Sequence, residues 1–275
     1  TYVFLGDGCL MEGLSHETAS FAGEYQLHKL IAFYDCNGIT IDGEAPKQIL
    51  QETIARFEAY GWFIQEINGH DHALIDREKG QKAENNWLAQ CHEYAASDPK
   101  AYQELLRRMN GDMPDDWQNV QMNLFEQALS MKQPIASRQS SQICLNELIT
   151  KLPELIGGSA DLTPSNNTKT AHSTNIGPNQ IGNYIHYGVR EFGMSAIMNG
   201  LAAHGGFIPY GGTFLVFADY AKNAMRLSAM MELKVIYVLT HDSIALGEDG
   251  PTHQPIEQLA MLRYTPKLHV WRPAT

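Results

Sequence analysis

Cysteine, positive charge and long apolar runs are all scarce in this sequence, and each scarcity narrows what it encodes. Its four cysteines, Cys9, Cys36, Cys91 and Cys144, contain no Cys-x-x-Cys pair. With no secretory leader ahead of them, the expectation is free thiols in a reducing cytoplasm. Twenty Lys and Arg stand against 31 Asp and Glu, for a formal charge of −11. Nucleic acids and anionic membranes both need a basic surface, so neither is expected as a main partner. No apolar run is long enough to cross a bilayer, and no internal repeat or low-complexity tract is present. What is there is 275 residues, 44% hydrophobic, sufficient for a buried core and about two domains.

The first forty residues organise the rest. Tyr2–Leu5 is a short apolar run that stops at Gly6-Asp7-Gly8, and Leu30–Tyr34 is a second that stops before Asn37-Gly38. Both read as buried parallel strands, with a helix over Ser15–Ala22 between them. Ligands of such sheets sit at the carboxyl ends of strands, which brings Asp7 and Asn37 side by side. A carboxylate, an amide oxygen and a backbone carbonyl from the same loop, at Ile39, are the hard oxygen donors that Mg²⁺ or Ca²⁺ prefers. Gly8 lets the backbone approach a phosphate closely. Neither Asp7 nor Asn37 is expected to pack a core. Alone, Gly-Asp-Gly is also an ordinary turn signal; followed by Asn37 at this spacing, it resembles a thiamine-diphosphate fingerprint.

The wording Gly6-Asp-Gly-Cys-Leu-Met-Glu-Gly13, the stretch Tyr34-Asp-Cys-Asn-Gly-Ile-Thr-Ile-Asp-Gly43 and the Glu191 and His241 stretches resemble the transketolase family over nearly the whole chain. The resemblance implies an α/β fold with two parallel-sheet thiamine-diphosphate-binding domains. Residues 1–76 would be a partial diphosphate and Mg²⁺ domain, 77–133 a helical linker, and 134–275 a pyrimidine-binding domain cut at its carboxyl end. Within this frame, Thr53–Tyr60 reads as a helix and Trp62–Ile67 as a strand closed by Asn68-Gly69-His70-Asp71. The family pattern then breaks: His72–Asp76 runs straight into Arg77, where the family carries a further helix, strand and histidine-bearing loop. In the linker, Asp98-Pro99 caps a helix over Lys100–Met109 that ends at Asn110-Gly111. Beyond Pro134 the expected elements are helix Arg138–Leu152, strand Glu154–Ile156, helices Arg190–His204 and Phe217–Met231, and strands Lys234–Thr240 and His269–Trp271.

The family's residues carry over where the wording matches. Glu191, in Gly188-Val-Arg-Glu-Phe-Gly193, resembles the buried glutamate that bonds the cofactor's aminopyrimidine and stabilises its imino tautomer; as a bare observation it is a favourable charge at a helix start. Phe214, Phe217 and Tyr220 fall at spacings of three, which on a helix is a core stripe; the resemblance makes them the aromatic pocket around the aminopyrimidine. Glu12 resembles the glutamate linking the two subunits' cofactors, Asp161 an interface residue touching the cofactor, and Gly6 and Ile41 belong to the cofactor-binding set. Arg138, Ser165 and His241 match positions that hold a sugar phosphate, and a guanidinium, a hydroxyl and an imidazole are suitable donors for one. Asp249 and His253, in Gly247-Glu-Asp-Gly-Pro-Thr-His-Gln-Pro255, match residues that bond the substrate's oxygens, with His253 also counted as catalytic beside Glu191 and Glu12.

The implied activity is transfer of a two-carbon ketol unit between sugar phosphates in the pentose phosphate pathway, by a cytoplasmic homodimer with its active site at the subunit interface. Two alternatives stay open: a near relative such as dihydroxyacetone synthase, and a non-catalytic fragment that folds or pairs without turnover. The first domain, with about three strands, is expected to leave apolar surface uncovered.

Overall fold

The computed structural model describes residues 1–41, 43–45, 49–69, 77–243, 245–247 and 249–273. The chain divides into two compact units, residues 1–104 and 105–275. The expected turn over His70 and Asp71, and the break in pattern up to Asp76, lie outside the described residues.

In the first unit, β1 (Tyr2–Gly6) and β2 (Ile31–Asp35) pair in parallel, with Tyr2 opposite Ile31 and Gly6 opposite Asp35. The connection is helical, a short α1 (Asp7–Met11) followed by α2 (Gly13–Glu24). Side chains alternate across a strand, so Tyr2 and Phe4 share one face with Ile31 and Phe33. That face is uncovered: Tyr2 is 67% and Phe4 78% exposed, and the Phe4 and Phe33 rings stack with centroids 5.2 Å apart. Among the described residues the sheet has only these two strands, joined by a separate hairpin of β3 (Ile39–Thr40) and β4 (Gly43–Glu44).

α3 (Ile49–Ala59) packs by α2, where Ala19, Phe21 and Ala22 are buried and Arg56 meets His16 at 3.1 Å. Trp62–Ile67 is not the expected strand but irregular chain. A strand needs a neighbour's ladder, and Trp62 is engaged otherwise: its indole N–H donates to the Ala19 carbonyl at 2.9 Å. Then come α4 (Arg77–Ser97) and α5 (Pro99–Asn110). As the sequence indicates, the Asp98 carboxylate accepts from the Ala101 amide at 3.0 Å to cap α5, and Gly111 takes a positive φ of 74° beyond its end.

The second unit holds one four-stranded, all-parallel sheet. Its helices and strands run α6 (Trp117–Ser130), α7 (Ser137–Lys151), β5 (Leu155–Ser159), α8 (Thr163–Asn166), β6 (Tyr184–His186), α9 (Glu191–His204), β7 (Ile208–Phe214), α10 (Ala218–Met230), β8 (Ile236–Thr240) and α11 (Gln258–Tyr264). The strand order is β6-β5-β7-β8. Both faces are covered, as parallel sheets require. Leu145, Ile149 and Leu152 pack on Leu155 and Tyr210 with Val238 against one face. Leu215, Ala218, Ala221, Met225 and Leu262 pack with Tyr237 and Leu239 on the other. Each such fully buried aliphatic side chain contributes roughly 1.5–3 kcal/mol. Close packing also depends on Gly157, where a Cβ would stand 2.2 Å from the Tyr210 ring.

One expectation fails here. His269–Trp271 forms no strand in the described structure; Leu268 and Val270 pack beside the cluster around Met225 instead of joining the ladder. Phe214, Phe217 and Tyr220 do not share a helix. Phe214 ends β7, Phe217 ends a 3-10 turn over Leu215–Phe217, and only Tyr220 is on α10. Their regular spacing reflects a strand-to-helix corner, where the period of three has no helical meaning. No described helix is long and apolar enough to cross a membrane.

Candidate functional site

In the first unit, Asp7 follows the last residue of β1 and is only 2% exposed. The expectation that it lies clear of the core is therefore corrected. Its carboxylate Oδ1 accepts from the Tyr34 hydroxyl, and Oδ2 accepts from the Gly38 amide at 2.9 Å and the Ile39 amide at 3.3 Å. Burial and the neighbouring carboxylate push the Tyr34 phenol far above its usual range, so it stays protonated and donates. The Ile39 amide is also 3.0 Å from Asn37 Oδ1. One backbone N–H thus gathers the Asp7 and Asn37 oxygens onto the same loop. Gly6 and Gly8 flank Asp7, and an added Cβ at either would meet nothing within 4 Å. Glu12 lies exposed between α1 and α2, and Ile41 is wholly exposed; neither makes a described contact with Asp7 or Asn37. Among the described residues no three His, Cys, Asp or Glu side chains gather as a metal cluster. A divalent cation here would rely on the Asp7 carboxylate, the Asn37 amide, backbone oxygen at Ile39 and oxygens brought by its ligand.

In the second unit, the site residues collect beyond the carboxyl ends of the strands. Phe214 is 7% exposed and its ring is stacked on His241, centroids 3.7 Å apart. It also meets Phe217 at 5.7 Å and an interplanar angle of 6°, and Phe217 leads on to Tyr220 at 5.9 Å. His253 presents its ring edge-on to Phe217 at 5.3 Å. Arg138, at the start of α7, reaches His241 with Nη1 to Nε2 at 3.3 Å. Burial first, and then the Arg138 charge, lower the His241 pKa, so the imidazole is held neutral. Arg138, Phe214, Phe217, Tyr220, His241 and His253 are thereby brought together. Asp249 is exposed and acts on His241 through its charge. Ser165 is half-buried on the short α8, with no described side-chain bond.

Glu191 occupies the first position of α9 and is 9% exposed. A carboxylate at that place is favoured by the helix dipole. Asp161 and His241 both follow strand ends with positive φ, 61° and 56°. This conformation is uncommon for non-glycine residues, though Asp and His enter it more readily than most. Asp161 also acts electrostatically on His186 at the end of β6.

A sequence reading overlooked the polar residues behind these. Asn166, Ser159 and Thr240 are almost fully buried and bonded in series, and Thr240 continues to His241. The available signal was adjacency: Asn166 follows Ser165 and Thr240 precedes His241. Tyr34 was likewise overlooked, read as a core residue of its strand rather than as the donor to Asp7.

The chain as a whole also matches known proteins. Residues 1–78 match the family described as "Transketolase, thiamine diphosphate binding domain", and residues 133–275 match "Transketolase, pyrimidine binding domain". The chain is 43% identical to transketolase 2 of Escherichia coli over 345 aligned positions, covering 99% of this chain and 52% of the relative. It is 42% identical to the plasmid-borne transketolase of Cupriavidus necator, at the same coverage. Aligned positions outnumber the chain's 275 residues, so these relatives carry internal residues without a counterpart here. Among solved structures, a Pichia stipitis transketolase in complex with sedoheptulose 7-phosphate superposes with a TM-score of 0.84 at 38% identity, covering 100% of this chain and 52% of that one. Campylobacter jejuni transketolase superposes at 0.75 with 30% identity, covering 96% and 51%. The chain spans about half the length of the relatives it matches.

Proposed function

The chain belongs to the transketolase family, and from that premise we propose that it serves ketol transfer from a ketose phosphate to an aldose phosphate, the chemistry of the pentose phosphate pathway. The observation that carries the reading is the convergence of Arg138, His241 and His253 with the Phe214–Phe217 pair beyond the strand ends. A cationic and imidazole-lined end would receive a phosphate, and the aromatic pair would receive a planar ring. The domain division 1–76, 77–133 and 134–275 is retained in this reading.

The residues present fit thiamine diphosphate with Mg²⁺. Asp7 and Asn37 offer oxygens gathered by one backbone amide, and the adjacent glycines leave room for a diphosphate. In this reading Asp7, Asn37 and the Ile39 carbonyl hold the metal; Gly6, Gly8 and Ile41 border the diphosphate; and Asp161, Phe214, Phe217 and Tyr220 surround the aminopyrimidine. The bound cofactor supplies carbanion stabilisation. Glu191, buried at the start of α9, orients the aminopyrimidine and holds a proton at its carboxyl oxygen. Glu12 links the cofactors of the two subunits. Arg138, Ser165 and His241 bind the sugar phosphate, while Asp249 and His253 bond its hydroxyl and carbonyl oxygens. A homodimer with the active site at the subunit interface belongs to the proposal, as does a cytoplasmic location, for which the four free cysteines are the support.

Steady-state assay with xylulose 5-phosphate as donor, and ribose 5-phosphate or formaldehyde as acceptor, tests this and separates transketolase from dihydroxyacetone synthase. Turnover that Glu191→Gln abolishes for every donor is the expected result. A second reading, a chain that folds without turnover, is favoured by the uncovered aromatic face of β1 and β2. Absence of ketol transfer with excess cofactor and Mg²⁺ would decide for it.

A further inference from the structure

A hydrogen-bond chain runs from the sheet interior to Arg138, and its direction is set at both ends. At the inner end the Gly212 carbonyl only accepts, so the Ser159 hydroxyl spends its proton there, at 3.1 Å. Ser159 Oγ is then an acceptor for the Leu162 amide at 3.1 Å and for Asn166 Nδ2 at 3.2 Å. That fixes the Asn166 amide with Oδ1 toward Thr240, whose hydroxyl donates to it at 2.7 Å. The one proton of Thr240 is now used. Its 3.0 Å contact with His241 Nδ1 must run from the ring N–H to the hydroxyl oxygen. Nε2 is left with a lone pair, and the atom it meets is Arg138 Nη1, a donor only. Asn166 is 0% and Ser159 1% exposed, so water does not replace these links.

We infer that Asn166 and Thr240 are positioning residues that hold His241 as its Nδ1–H tautomer and aim Nε2, beside Arg138, at the phosphate of a sugar-phosphate substrate. The inference rests on the sugar-phosphate reading above. The Phe214 stack and the positive φ of His241 hold the ring in place, while the hydroxyl of Thr240 decides which nitrogen carries the proton. A phosphate dianion accepts hydrogen bonds and donates none. For His241 to bond it, Nε2 must take one proton from solvent while Nδ1–H stays with Thr240. Phosphate binding is therefore coupled to uptake of a single proton. The charged and titratable groups facing His241 are Arg138 on α7, Asp242 and Asp249 in the segment after β8, and His253; Asp242 is itself held by Arg272 at 3.0 Å.

The test uses the full chain labelled with ¹⁵N-histidine, with the His241 signals assigned by their loss in His241→Gln. Long-range ¹H–¹⁵N spectra of the native protein are expected to show the Nδ1–H tautomer, converting on addition of fructose 6-phosphate to the doubly protonated ring, and unchanged by fructose. Thr240→Ser should keep the tautomer. Thr240→Val should lose it and weaken fructose 6-phosphate binding about tenfold, the scale of one lost hydrogen bond, with fructose binding unaltered. A native Nε2–H tautomer overturns the inference without recourse to any variant, as does a Thr240→Val protein with native tautomer and affinity. If native His241 is the Nδ1–H form but fructose 6-phosphate neither binds nor changes its spectrum, the sugar-phosphate reading fails, and the positioning role toward phosphate fails with it.

Discussion

The ring of His241 lies against the ring of Phe214, centroids 3.7 Å apart and planes 28° from parallel. An aromatic residue proposed for the cofactor pocket is therefore also the floor on which the imidazole proposed to bind phosphate rests. Phe214→Ala should accordingly weaken two ligands together: thiamine diphosphate and a phosphorylated sugar. Loss of one such stacked pair corresponds to about 0.5–1.5 kcal/mol, or up to roughly tenfold in each affinity. Calorimetric titration of both ligands checks this, and weakening of one alone would separate the two roles.

Asp7→Ala removes a proposed metal ligand and also the acceptor of the Gly38 and Ile39 amides. Cofactor affinity in Mg²⁺ should fall for this variant and for Asn37→Ala, with far-ultraviolet circular dichroism unchanged in Asn37→Ala, whose side chain is exposed. Tyr34→Phe, which takes only the hydroxyl from Asp7, is expected to weaken binding less than Asp7→Ala. Equal affinity in all three variants would reject the metal assignment.

Acid should destabilise the second unit through its histidines. His241 and His186 both have lowered pKa values, His241 by burial and then Arg138, His186 by burial and then Lys169. Each favours its neutral form when folded, so the stability is fully present above the unfolded value near 6.5 and is lost as pH falls through the lower folded values. Urea midpoints measured between pH 7.5 and 5 should decline. Replacing both histidines by glutamine should flatten that decline.

Arg107 grips the Glu154 carboxylate with both terminal nitrogens, each at 2.9 Å, and Glu154 is 4% exposed. Arg107→Ala leaves that charge buried without its main partner. The expected loss is about 3–5 kcal/mol, measurable by chemical denaturation. Arg107→Ala with Glu154→Leu should recover much of it.

The uncovered face of Tyr2, Phe4, Ile31 and Phe33 is an association hazard. The chain as given should self-associate with rising concentration in light scattering. Phe4→Lys with Phe33→Glu should shift the distribution toward smaller species; no shift would place the sticky surface elsewhere.

Most of the elements were legible because local pattern and tertiary packing agree in them. The apolar runs ending at Asp7 and before Asn37 became parallel neighbours, and the cap pairing Asp98 with Ala101 is a purely local matter. Trp62–Ile67 and His269–Trp271 misled because an extended apolar pattern becomes a strand only where a neighbour supplies the ladder. The aromatics at 214, 217 and 220 were singled out from their resemblance, since their spacing of three spans three kinds of backbone and carries no periodic signal. Adjacency to Ser165 and His241 pointed to Asn166 and Thr240, but the bonding of the Ser159–Asn166–Thr240 chain was out of reach. Its members come from β5, α8 and β8, and only the assembled sheet brings them within bonding distance.

Gly6 stands opposite Asp35 in the parallel pair of β1 and β2. Asp7 and Asn37 therefore leave neighbouring strands whose separation is set by the ladder, about 4.8 Å. The bite of the oxygen pair is in this sense a backbone dimension, gauged by strand spacing before any rotamer is chosen. A slip of β2 by one residue would carry Asn37 about 3.3 Å along the strand axis and turn the strand's side chains to the opposite face. For the cation proposed at this loop, preference would thus be stored in register: mutations within the apolar runs that loosen strand pairing should broaden which cations bind, while leaving every proposed ligand residue untouched.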